Sequence, residues 1–192
     1  KARLKKDRKQ RTRTILTPLM QRKEKAKKHY DEGIRHLLQG NFPAAASNLK
    51  LATTFDPKNE EYREKEMIAS GRAREGSAVA YSKRASFEES VGHWGEAARL
   101  YCMAVERNPT VENYCKAADA LVRTDDLKRA VEYATKAKDL DPNSVQARIS
   151  LGSAYLTAGM PKNARREVDF ALKIDADNKI AKALLKDVKK AE

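Results

Sequence analysis

Landmark residues recur along this 192-residue chain at three shared intervals, and this register constrains the fold more than any other feature. Turn-forming residues and helix-ending residues each recur after 52, 33 and 34 positions. The turn set is Gly40, Gly92, Asp125 and Gly159, and the ending set is Pro57, Pro109, Pro142 and Ala176. Small residues keep the same register at Ala45, Ala97, Ala130 and Ala164, at Ala52, Ala104, Ala137 and Ala171, and at Gly33, Ala85, Ala118 and Gly152. Several landmarks in one register predict an internal repeat.

Residues 111–142 contain the repeated unit in its most regular form. Two apolar stripes with three- and four-residue spacing place their members on one face of two successive helices. The stripes are Tyr114, Ala117, Ala118 and Leu121, then Leu127, Ala130, Ala134 and Ala137. Asp125 and Asp126 form the turn, and Pro142 ends the unit because a proline disfavours helical geometry at the residue before it. Neither helix can bury its apolar face alone, so we predict neighbouring units of the same kind.

A helix–turn–helix unit of about 34 residues with small residues at these offsets resembles the tetratricopeptide repeat. The family pattern has a small residue in helix A, a large apolar residue opening helix B, two alanines in helix B and a closing proline. It is met by Gly33/Phe42/Ala45/Ala52/Pro57, Ala85/Trp94/Ala97/Ala104/Pro109 and Ala118/Leu127/Ala130/Ala137/Pro142, and in part by Gly152/Ala164/Ala171. The resemblance implies an all-α, right-handed superhelical solenoid of four repeats closed by a capping helix.

The register divides the chain into seven segments. They are a basic N-terminal segment (1–25), a first repeat (26–57), an inserted helical extension (58–77), three further repeats (78–110, 111–144 and 145–177) and a capping helix (178–192). The first interval exceeds the usual one by 18 residues, or about five helical turns. We expect these residues to extend helix A of the second repeat backwards. A separate helix broken near Gly71 or Gly76 is the alternative.

The positive charge is concentrated at the N-terminus. The chain has a net charge of +13, and residues 1–28 contribute thirteen Lys or Arg against Asp7 and Glu24, so the remainder is nearly neutral. We interpret the first residues as an electrostatic arm comprising Arg3, Lys5, Lys6, Arg8, Lys9, Arg11 and Arg13. The arm is a solvated linker or a docking strip for an acidic protein or an anionic membrane surface. Without aromatic residues it would bind nucleic acid only nonspecifically, and we do not favour that partner.

The chain contains no recognisable catalytic or metal-binding motif. P-loop, nucleophile-elbow and HExxH patterns are absent, and His29, His36 and His93 lack companion ligands. Cys102 and Cys115 have neither CxxC nor zinc spacing, so we expect free thiols in a reducing, cytoplasmic environment. No apolar run approaches the length of a membrane span. We predict a protein that is not an enzyme and uses no cofactor or metal.

The family resemblance implies a function in protein–protein interaction. Its members bind an extended peptide or a partner helix in a concave groove that their A helices line. By register, the groove positions are Tyr30, Ile34, Leu37, Ser82, Lys83, Ser86, Glu89, Cys115, Lys116, Asp119, Arg123, Ile149, Ser150, Ser153 and Thr157. We therefore predict a scaffold or adaptor for a partner protein, with a regulatory domain of a larger protein as an alternative.

Two refinements follow from the same resemblance. One subfamily clamps the C-terminal carboxylate of a chaperone with Lys and Asn on successive turns of its first A helix. Tyr30 and Ile34, or Ser82 and Ser86, occupy those places here, so we do not predict this ligand.

Some bacterial proteins of similar layout carry a J-domain before the repeats. Its His-Pro-Asp loop is absent from this chain, which begins at Lys1 without methionine, so we expect a fragment and treat a preceding J-domain as a hypothesis.

Overall fold

The computed structural model describes residues 17–192, and this part of the chain is built from α-helices without a β-strand. The helices are α1 (Pro18–Leu38), α2 (Phe42–Phe55), α3 (Glu60–Ser90), α4 (Trp94–Arg107), α5 (Val111–Arg123), α6 (Leu127–Leu140), α7 (Val145–Thr157), α8 (Pro161–Ile174) and α9 (Lys179–Ala191). The predicted all-α class is confirmed. The described part of the chain forms two compact units, residues 17–73 and 74–192, and α3 contributes its first part to one and its second part to the other.

The first unit is an antiparallel pair, α1 and α2, with the beginning of α3. The hydroxyl of Thr17 accepts a hydrogen bond from the backbone N–H of Met20, and Pro18 occupies the first helical turn, where its missing N–H is harmless. The interior contains Ala45, Leu49 and Ala69, all fully buried. This unit is therefore held by small residues that allow close helix packing.

The long helix α3 is continuous over its 31 residues, so the chain has the extended helix and not the broken one. Gly71 and Gly76 lie inside it, and a Cβ atom at either position would meet no atom within 4 Å. Each glycine weakens the helix by roughly 0.5–1 kcal/mol relative to alanine. The surrounding sequence is rich in helix-forming residues, and this cost does not break the helix.

The four predicted turn residues share one unusual backbone conformation. Gly40, Gly92 and Gly159 have φ angles of 74°, 83° and 72°, and Asp125 has a φ angle of 61°. This left-handed region is open to glycine and tolerated by aspartate, which explains the residue types found at the turns. The residue after each turn is the N-cap of the next helix, so α2, α4 and α8 begin at Phe42, Trp94 and Pro161.

The second unit contains helices α4 to α9 and the C-terminal part of α3. The register alanines of α4, α6 and α8 have no exposed surface: Ala97, Ala104, Ala130, Ala137, Ala164 and Ala171. Leu100, Leu151 and Val168 supply the large buried side chains. The final helix α9 buries Ala181 and Val188 and thus covers the apolar face of the fourth repeat. Within residues 17–192, no helix is long and apolar enough to cross a membrane.

Candidate functional site

A cleft lies between the C-terminal part of α3 and the beginning of α5, both in the second unit. Its cavity has a volume of about 700 Å³. The walls are formed by Ala78, Val79, Ser82, Lys83 and Ser86 from α3, by Val111, Glu112, Asn113 and Lys116 from α5, and by Asn108 and Thr110 from the connection before α5. Four residues predicted from the sequence for the groove, Ser82, Lys83, Ser86 and Lys116, thus line one cavity.

A chain of hydrogen bonds fixes the polar wall of this cleft. Thr110 caps α5 by accepting from the backbone N–H of Asn113 at 3.2 Å. The Asn113 side chain donates to the carbonyl oxygen of Asn108 at 2.8 Å, and its own oxygen accepts from the Ser82 hydroxyl at 3.2 Å. These bonds join the connection, α5 and α3, so the cleft is formed before any ligand arrives.

The sequence-based groove prediction did not include Asn108, Thr110 and Asn113. Thr110 was recognisable as a helix cap because a threonine precedes the apolar pattern of α5. The role of Asn113 depends on the path of the connection, which brings the Asn108 carbonyl within reach. Periodicity along a helix does not contain that information.

The two lysines of the cleft differ in their electrostatic environment. Lys116 Nζ lies 2.6 Å from Glu112 Oε1, one turn earlier on α5. Lys83 forms no ion pair or hydrogen bond with any residue in the 17–192 range. The cleft therefore presents one neutralised lysine and one lysine that is available to an acidic group.

Beyond the two lysines, Asp119 on α5 is exposed but lies among protein atoms that displace part of its hydration. This desolvation raises the pKa of the Asp119 carboxyl, and the charge of Glu89 raises it further, whereas a hydrogen bond from Ser150 lowers it. Glu89 itself accepts a hydrogen bond from the buried Tyr101 hydroxyl at 2.9 Å. Burial and this carboxylate raise the pKa of Tyr101 to about 12.

Three residues predicted for the groove are buried. Cys115, Ile149 and Ser150 have exposed fractions of 2%, 6% and 1%, and they present almost no surface to a partner. Cys115 packs with Ala137 and Ala147, and the prediction is corrected for these three positions. Burial also raises the pKa of Cys115 to about 11, so its thiol stays protonated near neutral pH. The cause is the stacking of α7 on α5 and of α9 on α7, which covers one flank of α5 and one of α7.

The remaining predicted positions of the second unit stay accessible. Arg123 is exposed, and its guanidinium lies 5.2 Å from the centre of the Trp94 ring. Ser153 and Thr157 lie one turn apart on α7, and the Thr157 hydroxyl donates to the Ser153 carbonyl oxygen at 3.0 Å. These contacts hold the side chains in place without closing the surface.

The predicted positions of the first repeat lie in the other unit. Tyr30, Ile34 and Leu37 are half-buried against the core of that unit. The Tyr30 ring stacks on Tyr62 with 4.6 Å between ring centres, and its hydroxyl donates to Glu61. Desolvation and this hydrogen bond raise the pKa of Tyr30 to about 12. The seven residues of the electrostatic arm, Arg3 to Arg13, lie outside the described part of the chain.

The histidines and cysteines form no cluster of metal ligands in the described range. His29 Nδ1 lies 3.4 Å from Asn48 Oδ1, and His93 Nδ1 lies 2.9 Å from Glu88 Oε2. Cys102 and Cys115 are free thiols. No group of three or more His, Cys, Asp or Glu side chains that could hold a metal ion occurs between residues 17 and 192.

The helical hairpins, left-handed turns and alanine interfaces define a helical-repeat protein. The family model of the tetratricopeptide repeat matches residues 111–144. The Arabidopsis OM64 TPR domain is similar in structure, with a TM-score of 0.57 and 23% identity, over 62% of this chain and 99% of that chain. The fold of this protein is therefore an all-α tetratricopeptide-repeat solenoid.

Two further solved structures share this fold. The first TPR of Spaghetti (RPAP3), bound to the HSP90 peptide SRMEEVD, has a TM-score of 0.56 and 18% identity, over 61% of this chain and 94% of that chain. The TPR2B-domain:pHsp70-complex of yeast Sti1 has a TM-score of 0.55 and 21% identity, over 60% of this chain and 98% of that chain. At these identities the likeness concerns the fold alone.

In sequence, the chain is similar to two longer proteins. Sperm-associated antigen 1 of Mus musculus is 25% identical over 141 residues, which are 73% of this chain and 15% of the relative. The DnaJ homolog subfamily C member 7 homolog of Dictyostelium discoideum is 24% identical over 179 residues, which are 91% of this chain and 32% of the relative. The chain thus spans at most about a third of either relative.

Proposed function

We propose that this protein is a cytoplasmic, non-enzymatic adaptor that holds an extended segment of a partner protein in the cleft between α3 and α5. The observation that carries the proposal is that Ser82, Lys83, Ser86 and Lys116 line the same cavity. Its volume of about 700 Å³ lies within the range typical of ligand sites. In the family that the sequence resembles, such segments bind in a groove lined by the A helices.

The chemistry of the cleft walls suits an extended peptide. Hydroxyl and amide groups of Ser86, Thr110 and Asn113 can satisfy backbone N–H and C=O groups of a segment that lies in the cavity. Val79 is 53% exposed and offers an apolar contact for a side chain. Lys83 supplies the available positive charge. The expected ligand therefore combines an apolar residue with an acidic one.

The cleft differs from a clamp for a terminal carboxylate. One similar structure holds the HSP90 peptide SRMEEVD, and another is a complex with pHsp70. In this chain, Ser82 and Ser86 occupy the places where the clamp requires lysine and asparagine. A serine hydroxyl carries no charge to offset a terminal carboxylate, so we infer that an internal segment is the preferred ligand.

The proposal can be tested with peptides selected from a displayed random library against the full chain. Binding of the selected peptides is then measured by fluorescence anisotropy for the wild type, Ser86→Arg and Lys83→Glu. We expect each substitution to weaken binding by about tenfold, because one fills the cleft and the other reverses its charge. Lys186→Glu on α9 is the matched charge control and should bind normally. Unchanged binding by both cleft variants would contradict the proposal.

The alternative in which the basic arm binds the partner gives a different result. A variant that lacks residues 1–16 should bind the selected peptides as the wild type does, across a salt series. If binding disappears with the arm and falls steeply with salt, the electrostatic arm is the binding element.

The peptide SRMEEVD with a free or an amidated C-terminus tests separately whether the cleft holds a terminal carboxylate. Equal binding of the two forms is expected from a cleft without a clamp.

A further inference from the structure

The helix α3 has a third face, separate from the core and from the cleft, that is open to solvent. Ala80, Arg84 and Phe87 on α3, and Val91 directly after its last residue, follow one another at spacings of four, three and four residues. The backbone N–H of Val91 donates to the Phe87 carbonyl oxygen at 3.2 Å, so the helical spacing places the four residues within about 60°. All four lie in the second unit. Phe87 is 64% exposed and Val91 49%, and the Arg84 side chain is 63% exposed. We call these four residues the open α3 face.

The equivalent face is covered in the later repeats. By the repeat register, Ala117 and Ala120 on α5, and Leu151 and Ala154 on α7, correspond to Arg84 and Phe87. Their exposed fractions are 0%, 3%, 1% and 0%. In α5 this face packs into a cluster with buried residues of α4. The third and fourth repeats thus use this face as a helix-packing surface, yet α3 exposes it and carries a phenylalanine where these two repeats carry alanine.

The open α3 face is complementary to itself. When two copies of α3 run antiparallel, with the two-fold axis midway between residues 85 and 86, Ala80 lies opposite Val91 and Arg84 lies opposite Phe87. The two pairs are then repeated by the symmetry, as in every isologous interface. The four–three–four spacing is also the seam of an antiparallel coiled coil. From this complementarity we propose that the protein self-associates through the open α3 face, with a second copy as the occupant.

Each pair in this arrangement is chemically favourable. A small residue opposite a β-branched one fills space without a clash, and a guanidinium over a phenylalanine ring gains a cation–π interaction. Arg84 is free to turn toward the second copy at low cost. Its contact with Glu96 is 3.5 Å long, and Arg99 holds the same carboxylate through two hydrogen bonds of 2.8 and 2.7 Å.

Sedimentation equilibrium of the full chain over a concentration series tests the association. We expect a reversible monomer–dimer equilibrium in the wild type. Phe87→Arg should shift it to monomer by at least about tenfold in the dissociation constant, because it places a second positive charge opposite Arg84 of the other copy. Ile180→Arg is the matched control, since Ile180 is 60% exposed on α9 and should leave the equilibrium unchanged. A wild type that stays monomeric at every concentration, or a dimer that Phe87→Arg leaves intact, overturns the proposal.

Disulfide trapping tests the antiparallel register. Ala80→Cys and Val91→Cys are prepared as separate chains and oxidised alone and as a mixture. The mixture should give a crosslinked dimer, whereas each chain alone should give only the background of the wild type, whose two cysteines are buried. Crosslinking of each variant with itself indicates a parallel pair and overturns the arrangement. Equal crosslinking in all samples indicates random collision and overturns it as well.

Discussion

The guanidinium of Arg148 in α7 lies 2.6 Å from the carboxylate of Glu167 in α8, and both side chains are nearly buried, with exposed fractions of 13% and 7%. Arg148 also donates to the carbonyl oxygen of Pro142 at 2.9 and 3.1 Å, and its guanidinium lies 4.0 Å from the centre of the Phe170 ring. One arginine therefore joins the fourth hairpin to the end of the third repeat.

The first prediction concerns this ion pair. Glu167→Ala should lower the free energy of unfolding by about 3 kcal/mol, because it leaves the arginine charge buried without its counter-ion. Arg148→Met combined with Glu167→Leu should recover most of the loss, since neither remaining side chain is charged. Urea unfolding followed by circular dichroism measures both. The control is Lys182→Ala, which removes the exposed contact with Asp177 and should cost less than about 1 kcal/mol.

The second prediction compares two helical glycines. A Cβ atom on Gly33 would lie 2.6 Å from Leu49 Cγ and 3.2 Å from the Leu49 backbone nitrogen, so Gly33→Ala should destabilise the first unit by about 1–3 kcal/mol. A Cβ atom on Gly71 would touch nothing within 4 Å, so Gly71→Ala should stabilise the chain by about 0.5–1 kcal/mol. Thermal and urea unfolding of the two variants measure the contrast. Equal effects would show that the helix packing is not what requires glycine at position 33.

The repeat architecture was predictable because its landmarks depend on single residues. Left-handed turns require glycine or aspartate, and close helix packing requires glycine or alanine, so Gly92 and Ala130 reveal their positions without any knowledge of their neighbours. The cleft was only partly predictable. Helical periodicity identifies one face of a helix, but it does not separate the groove side of Cys115 from the flank that the next repeat covers. That distinction depends on how far successive hairpins rotate.

The third prediction concerns the turns. A Cβ atom on Gly159 would meet no atom within 4 Å, so its φ angle of 72° is the reason for glycine at this position. Gly159→Ala should therefore cost about 1–2 kcal/mol through backbone strain alone. Asp125 occupies the same conformation, and Asp125→Gly should stabilise the third repeat by roughly 0.5 kcal/mol, after the entropy lost by glycine is subtracted. Opposite signs for the two substitutions in urea unfolding are the expected result, and equal signs would contradict it.

The fourth prediction concerns the dependence of stability on pH at Asp119. Desolvation and the charge of Glu89 raise the pKa of this carboxyl in the native state above that of the unfolded chain. Its ionised form is therefore penalised by folding. The penalty is absent below the unfolded pKa of about 3.9 and becomes complete as the pH rises through the native pKa.

Asp119→Asn removes the charge and should raise the free energy of unfolding near pH 7, with a gain that vanishes below pH of about 3.5. Urea unfolding at a series of pH values measures the difference between wild type and variant. The control is Asp177→Asn at an exposed carboxylate that pairs with Lys182. It should give no gain near neutral pH, because this side chain is 98% exposed and keeps its hydration in the native state. A gain from Asp119→Asn that persists at low pH would mean that packing, not charge, is its cause.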